Sequence, residues 1–141
     1  MSAISPVAQS ASSRSDVAVL AQLAQLAKAD REVKAHEQAH MAAAGGLATS
    51  GPSYQYTTGP DGKRYAVAGE VHIDTSPVSG NPEATMRKAR MIQAAAHAPA
   101  NPSSQDQAVA AAAAQMEARA RLEAAYKAQQ EITGALFSVT A

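Results

Sequence analysis

The sequence predicts an α+β protein that is mostly helical, with a long first helix, one β-hairpin and two further helices. Three observations carry this prediction. Residues 15–44 contain no Gly or Pro and are dense in helix formers. Residues 63–74 follow a turn signal and alternate between apolar and polar side chains, which predicts the second strand of a hairpin. Residues 103–133 are rich in alanine, which predicts a long last helix.

The first helix is expected to begin at Ser15, an N-cap residue, and to end at Ala44 before Gly45 and Gly46. At about 100° per residue, its larger apolar side chains fall within one stripe about 80° wide. These residues are Val19, Leu23, Leu26, Val33 and Met41. Glu37 lies in the middle of the stripe, where a carboxylate is costly unless a positive charge meets it.

The pentapeptide from His36 to His40 reads H-E-x-x-H, a pattern typical of zinc peptidases. Two histidines four residues apart lie one helical turn apart on one face, so both imidazoles can bind one ion. Glu37 would then act as general base toward a metal-bound water. The alternative interpretation is a solvated helix end in which these residues occur by chance.

The hairpin is predicted over residues 54–58 and 63–74, around a type I turn at Gly59-Pro60-Asp61-Gly62. We expect Thr58 to pair with Lys63, which sets Tyr56 opposite Tyr65 and Tyr54 opposite Val67. This register keeps the tyrosines on the apolar face of the second strand, and a shift of one residue would move them to the polar face.

A catalytic zinc usually has three protein ligands and one open position, and the motif supplies two. The polar face of the second strand offers Glu70, His72 and Asp74, about 6.6 Å apart along the strand. Only one of these three side chains can reach an ion held by the helix. We rank Glu70 first, followed by His72 and Asp74, because the small residues Ala66 and Ala68 on the same face let the helix approach the strand. Asp74, which precedes Thr75-Ser76-Pro77, can alternatively organise a turn.

The next helix is expected to open at Asn81-Pro82-Glu83, with Asn81 as N-cap, and to end before Pro99. Its apolar face carries Met86, Ala89, Ile92 and Ala96. The last helix is expected to be capped by Ser103 or Ser104 and to stop at Gly134. Because its apolar line is weak, this helix can project from the body or associate with a second chain.

Composition limits the possible functions. The chain has no cysteine, so any metal must be bound by His, Asp, Glu or backbone oxygen. Lys plus Arg equals Asp plus Glu at 12 each, which gives no basic surface for nucleic acid. No apolar run reaches the length of a membrane span, and residues 1–14 lack a signal-peptide core. We therefore expect a cytoplasmic protein, or one exported by a route without a recognisable signal.

Several blocks in order resemble one family: HEQAHMAAAGG, GPSYQYTTGPDGKRYAVAGEVHIDTSPV, NPEATMRKAR and PSSQDQAVAA. They are similar to the SprA-related bacterial family, described as metalloprotease catalytic domains, and the resemblance covers about residues 31–114. It implies His36 and His40 as zinc ligands, Glu37 as the catalytic base, and Gly69-Glu70-Val71 as part of the site. The chain lacks the metzincin continuation, since Ala43 and Gly46 stand where Gly and His would be.

The organisation predicted from these patterns is a disordered tail (1–14), a zincin-like catalytic domain (15–102), a long helix (103–133) and a tail (134–141). The function expected is Zn²⁺-dependent hydrolysis of a peptide or protein substrate. The alternative is a non-catalytic helical module that zinc stabilises and that binds a partner. That alternative predicts a fourth protein ligand, such as His72 or Asp74, closing the site. A metal-free interaction protein is a third interpretation.

Overall fold

The computed structural model describes the backbone of residues 6–140 and the side chains of residues 11–139. Helix α1 spans Pro6–Ala44 and is followed by a 3-10 turn, Gly45–Leu47. Strands β1 and β2 span Ser53–Thr58 and Arg64–Glu70, and helices α2 and α3 span Pro82–Ala96 and Ser104–Thr140. The predicted class, mostly helical with one hairpin and a long last helix, is confirmed.

Two compact units share helix α1. The first, which we call the hairpin unit, holds the chain up to Glu37 together with Pro52–Glu70. The second, the helical unit, holds Gln38–Gly51 and the chain from Val71 onward. The boundary falls within the zinc-motif segment of α1, after Glu37.

Helix α1 begins at Pro6, not at Ser15 as predicted. Proline suits the first turn of a helix, and the Ala and Ser residues that follow do not break one. Ser15 therefore lies inside the helix, where its hydroxyl donates to the carbonyl of Ser12 at 2.9 Å. Of the predicted tail, residues 1–5 lie outside the described part of the chain, and the rest belongs to α1.

The apolar stripe of α1 is buried only along part of its length. Val19 is exposed, whereas Leu23, Leu26 and Val33 are half-buried. Glu37, at the centre of the stripe, is 4% exposed and His40 is 5% exposed. The motif thus occupies the most deeply packed part of the stripe.

The hairpin turn forms as predicted, but the strand register is shifted. The Gly62 amide donates to the Gly59 carbonyl at 3.0 Å, and Gly62 has a φ of 78°. Tyr56 opposes Ala66 rather than Tyr65, and Tyr54 opposes Gly69 rather than Val67. The register changes between Gln55 and Tyr56, where a β-bulge adds one residue to β2.

The bulge has a packing consequence in the hairpin unit. Ala66 and Gly69, which would lie on opposite faces of a regular strand, now share the face occupied by Tyr54 and Tyr56. Ala66 is fully buried, whereas Ala68 and Val67 are exposed. The expectation that Ala66 and Ala68 together admit α1 is therefore wrong for Ala68, and Gly69 takes its place.

In the helical unit, α2 has its predicted start, because the Asn81 side chain accepts from the Ala84 amide at 2.9 Å. Ala89, Ile92 and Ala96 are buried, as its apolar face predicted. Helix α3 packs against α2 and buries Ala110, Ala113 and Ala120. It continues through Gly134, which was expected to end it, to Thr140. A glycine inside an exposed helix costs only about 1 kcal/mol, which is too little to stop a helix already formed on both sides.

Candidate metal site

The site is centred on His40, whose imidazole is held from both sides within the helical unit. Its Nδ1 atom lies 2.8 Å from the carbonyl oxygen of Ala95, in the last turn of α2. A carbonyl oxygen has no proton, so Nδ1 must carry the hydrogen of this bond. In a neutral ring, Nε2 then has the free lone pair, which is the state that binds a metal.

Asp106 faces that second nitrogen. Its Oδ1 atom lies 3.1 Å from Nε2 of His40, and the carboxylate is mostly buried. Two acceptor atoms at this distance repel each other unless the ring is protonated or a cation lies between them. Two ligands of one tetrahedral zinc are about 3.3–3.6 Å apart, given bond lengths of about 2.0–2.2 Å. The observed spacing of 3.1 Å is close to this range, as a shared ion requires.

The position of Asp106 is set by the start of α3. The Ser103 hydroxyl accepts from the Asp106 amide at 3.1 Å, and Oδ2 of Asp106 accepts from the Ser103 amide at 2.7 Å. This reciprocal pair is a capping box with aspartate in the third helical position. One carboxylate oxygen thus fastens the helix end, and the other meets His40.

His36 completes the group. It lies one turn before His40 on the continuous helix α1 and is half-buried. The nearest ligand atoms of His36, His40 and Asp106 all lie within 4.8 Å of one another. Two imidazoles and one carboxylate form a donor set that zinc accepts in proteins.

Glu37, the predicted base, is buried in the hairpin unit beside Gly69. A Cβ atom placed on Gly69 would lie 2.7 Å from Cγ and 3.0 Å from Oε1 of Glu37. The glycine therefore allows β2 to approach the glutamate more closely than any larger residue would. The Gly69-Glu70-Val71 block thus has a steric role that the sequence pattern did not reveal.

A second contact fastens the hairpin to α1. Oδ1 of Asp30 accepts from the Ala66 amide at 2.8 Å, and Oδ2 accepts from Lys34 at 3.0 Å. The bond from the Ala66 amide, aided by Lys34, lowers the pKa of the Asp30 carboxyl. Because the amide belongs to a fully buried residue, this bond keeps β2 aligned with the helix.

The three residues considered as third ligand occupy different environments. Glu70 ends β2 with an exposed side chain, and its Oε1 lies 3.5 Å from the Ser53 hydroxyl. It is not one of the three residues whose ligand atoms converge, and its role as ligand stays a prediction. The backbone carbonyl of His72 accepts from the Thr49 amide at 3.0 Å, and its side chain is exposed.

Asp74 organises a turn, which was the alternative interpretation of this residue. Its Oδ1 accepts from the Ser76 amide at 2.9 Å, and its Oδ2 lies 2.7 Å from Nζ of Lys88. The bond from Lys88, followed by those from Ser76, holds the pKa of the Asp74 carboxyl far below its usual range. This carboxylate is committed to Lys88 and the loop 74–80.

Sequence reasoning missed Asp106. The segment Ser103-Ser104-Gln105-Asp106 carries a capping signal, which was recognised for the helix start alone. Nothing in the local pattern relates this helix end to His40 on α1, because the two are brought together only by the packing of the helices.

The sequence profile of the SprA-related family matches residues 2–135 of the chain. No curated protein and no solved structure matches it. Within the part of the chain that the structure describes, none of the helices combines the length and apolarity needed to cross a bilayer.

Proposed function

The chain belongs to the SprA-related family, and we propose that it is a zinc-dependent peptidase in which His36, His40 and Asp106 hold the ion and Glu37 is the general base. The observation that carries this proposal is the convergence of three ligand atoms within 4.8 Å. A buried glutamate, Glu37, follows the ligand His36 in the chain. Zinc in such a site lowers the pKa of water and polarises a carbonyl group.

The residues of the chain have separate tasks in this proposal. His40 keeps its Nε2 lone pair toward the ion, because Nδ1–H is donated to the Ala95 carbonyl. Asp106 contributes a negative charge that stabilises a dication next to two neutral imidazoles. Glu37 takes a proton from the attacking water and later delivers it to the leaving amine.

The central experiment compares the wild type with Glu37→Gln and His40→Ala, measuring bound zinc and hydrolysis of a mixed peptide library. We expect Glu37→Gln to keep zinc and to lose hydrolysis, because its side chain has the same size but cannot accept the proton. His40→Ala is expected to lose both. Equal hydrolysis by the wild type and Glu37→Gln would contradict the mechanism.

The alternative, a zinc-stabilised module without catalysis, also has an observation in its favour. Asp106 is an additional carboxylate that sequence reasoning did not count, and if Glu70 binds the same ion as well, four protein ligands close the site. X-ray absorption of the zinc-loaded protein distinguishes the two functions. One ligand from water supports a peptidase, and four protein ligands support the structural module.

Zinc is expected to stabilise the fold in both cases. A chelator should lower the thermal midpoint of the loaded wild type, because an ion bound only by the folded state stabilises it by about 2.7 kcal/mol at a hundred times Kd. His40→Ala should show no such shift. A midpoint that does not change in wild-type protein shown to have lost its metal would exclude a stabilising ion.

A further inference from the structure

A groove in the helical unit runs along one side of α3, and two adjoining cavities form it. The first has a volume of about 320 Å³ and is lined by Thr75, Gln105 and Val109 among others. The second has a volume of about 460 Å³ and lies between loop residues Pro77–Gly80 and the middle of α3. Ala112 and Met116 line both cavities, so the two lie next to each other along α3.

The α3 side of the groove is a straight strip of the helix surface. Its residues recur at spacings of three and four, which places them above one another on one face: Gln105, Val109, Ala112, Met116, Arg119 and Glu123. From Gln105 to Glu123 the strip is about 27 Å long, at 1.5 Å per residue. Its first residue, Gln105, precedes Asp106 in the chain.

The groove changes character along its length. The first cavity is lined by alanine, valine and methionine side chains of α3, together with Thr75 and Gln105. Farther along, the groove is lined by two charged residues, Arg119 and Glu123, which are both exposed. Neither forms a hydrogen bond or ion pair with any residue of the described part of the chain. Arg119 lies one turn closer to Asp106 than Glu123 does.

We propose that this groove binds the substrate as an extended peptide segment with apolar side chains, whose carboxylate pairs with Arg119. The inference rests on the proposed peptidase function. A guanidinium is suited to a carboxylate because it can donate two parallel hydrogen bonds. Arg119 is 13 residues from Asp106 on α3, or about 20 Å. An extended peptide covers that distance in about six residues.

The carboxylate of Glu123 would repel the carboxylate of a bound acidic peptide. Glu123→Gln should therefore raise the affinity for that peptide. Arg119→Gln should lower the affinity by about fivefold, since an exposed ion pair contributes about 1 kcal/mol at most. Lys127→Gln, at an exposed position of α3 that does not line either cavity, serves as the charge control.

The experiment measures fluorescence anisotropy of labelled peptides of about ten residues, long enough to fill the groove. The binding protein is Glu37→Gln, which the proposed mechanism does not allow to cleave them. One peptide has an amidated end and an internal Glu near that end, a second has Gln in that place, and a third has only a free terminal carboxylate. Comparison of the first and third shows which carboxylate is recognised.

Two further variants test the groove itself. Ala112→Phe should abolish binding, because the position is exposed, borders both cavities and can accept a large side chain at little cost to folding. Ala111→Phe, an exposed position on another face of the same helix, should bind as Glu37→Gln alone does. Arg119→Glu should regain affinity for a peptide in which Lys replaces the Glu.

Binding that depends on Arg119 and Ala112 supports the proposal. Absence of binding, or binding that Arg119→Gln and Ala112→Phe leave unchanged, overturns it. The outcome is separate from that of the peptidase proposal. If the groove binds peptides while the zinc-loaded wild type cleaves none, the peptidase proposal fails. If the wild type cleaves peptides that the groove variants bind normally, only the groove assignment fails.

Discussion

Nε2 of His40 lies 3.1 Å from Oδ1 of Asp106, while Nδ1 of the same ring is fastened to the carbonyl of Ala95 at 2.8 Å. The Ala95 carbonyl therefore orients the imidazole, as backbone carbonyls do for many metal-binding histidines, and Nε2 is directed at the Asp106 carboxylate. This relationship makes Asp106 the first residue to test as the third ligand.

Asp106→Asn is expected to weaken zinc binding by about ten- to a hundredfold, because the amide removes the negative charge from the site. The asparagine oxygen still accepts from the Ser103 amide, so the start of α3 should be preserved. The measurement is competition with a chelator, with Glu70→Gln in parallel. Unchanged affinity in Asp106→Asn together with reduced affinity in Glu70→Gln would restore the ligand predicted from sequence.

Gly69→Ala is expected to lower the free energy of unfolding by about 1–3 kcal/mol. The new methyl group would lie 2.7 Å from Cγ of buried Glu37 and 3.0 Å from Cδ1 of Tyr54. Urea denaturation with zinc removed measures the effect on packing alone. Gly51→Ala is the control, because a Cβ there contacts nothing within 4 Å, and an equal loss in both variants would contradict the steric explanation.

Asp74→Asn should make stability less dependent on pH in acid. Lys88 and Ser76 lower the pKa of Asp74 in the folded state, so its contribution is present above the pKa of the unfolded chain, about 3.9, and is lost as pH falls toward the folded value. The wild type should therefore lose more stability than the variant between about pH 6 and pH 3. Parallel curves would contradict this. Asp16→Asn, an exposed change on α1, is the control.

Gly134→Ala should increase helix content and raise stability by up to about 1 kcal/mol, because the residue lies inside α3 with open space around it. Circular dichroism and urea denaturation measure both quantities. Gly45→Ala should have the opposite effect, since Gly45 has a φ of 52°, which L residues rarely adopt. A loss of helix in Gly134→Ala would indicate that the residue ends the helix, as its sequence context predicted.

The predictions that the structure confirmed depend on interactions between residues close in the chain. The burial of Glu37 follows from the period of α1, the start of α2 from Asn81 and Pro82, and the turn at Gly59–Gly62 from its own residues. Each depends on interactions among a few residues that are close in the chain. For that reason a sequence pattern was sufficient to predict them.

The incorrect predictions concern helix ends and strand register. The bulge between Gln55 and Tyr56 lets Ala66 and Gly69 share one face, so that small residues meet α1 at both places. Alternation alone could not predict it, because a bulge is a local irregularity that becomes favourable through packing against another element. Likewise, Ser15 and Gly134 are compatible with helix ends and also with helix interiors, and single-residue preferences of about 1 kcal/mol do not decide between them.

The sequence alone determined the helix that carries His36, Glu37 and His40, since four-residue spacing on a helix leaves little freedom in where these side chains lie. Only the tertiary structure decided that Asp106 meets His40, because the start of α3 reaches that ring through the packing of α3 on α2 and the fastening of His40 to Ala95. Spacing along a chain is sufficient for ligands on one helix. A ligand from another helix depends on how whole elements pack, and no local pattern records that.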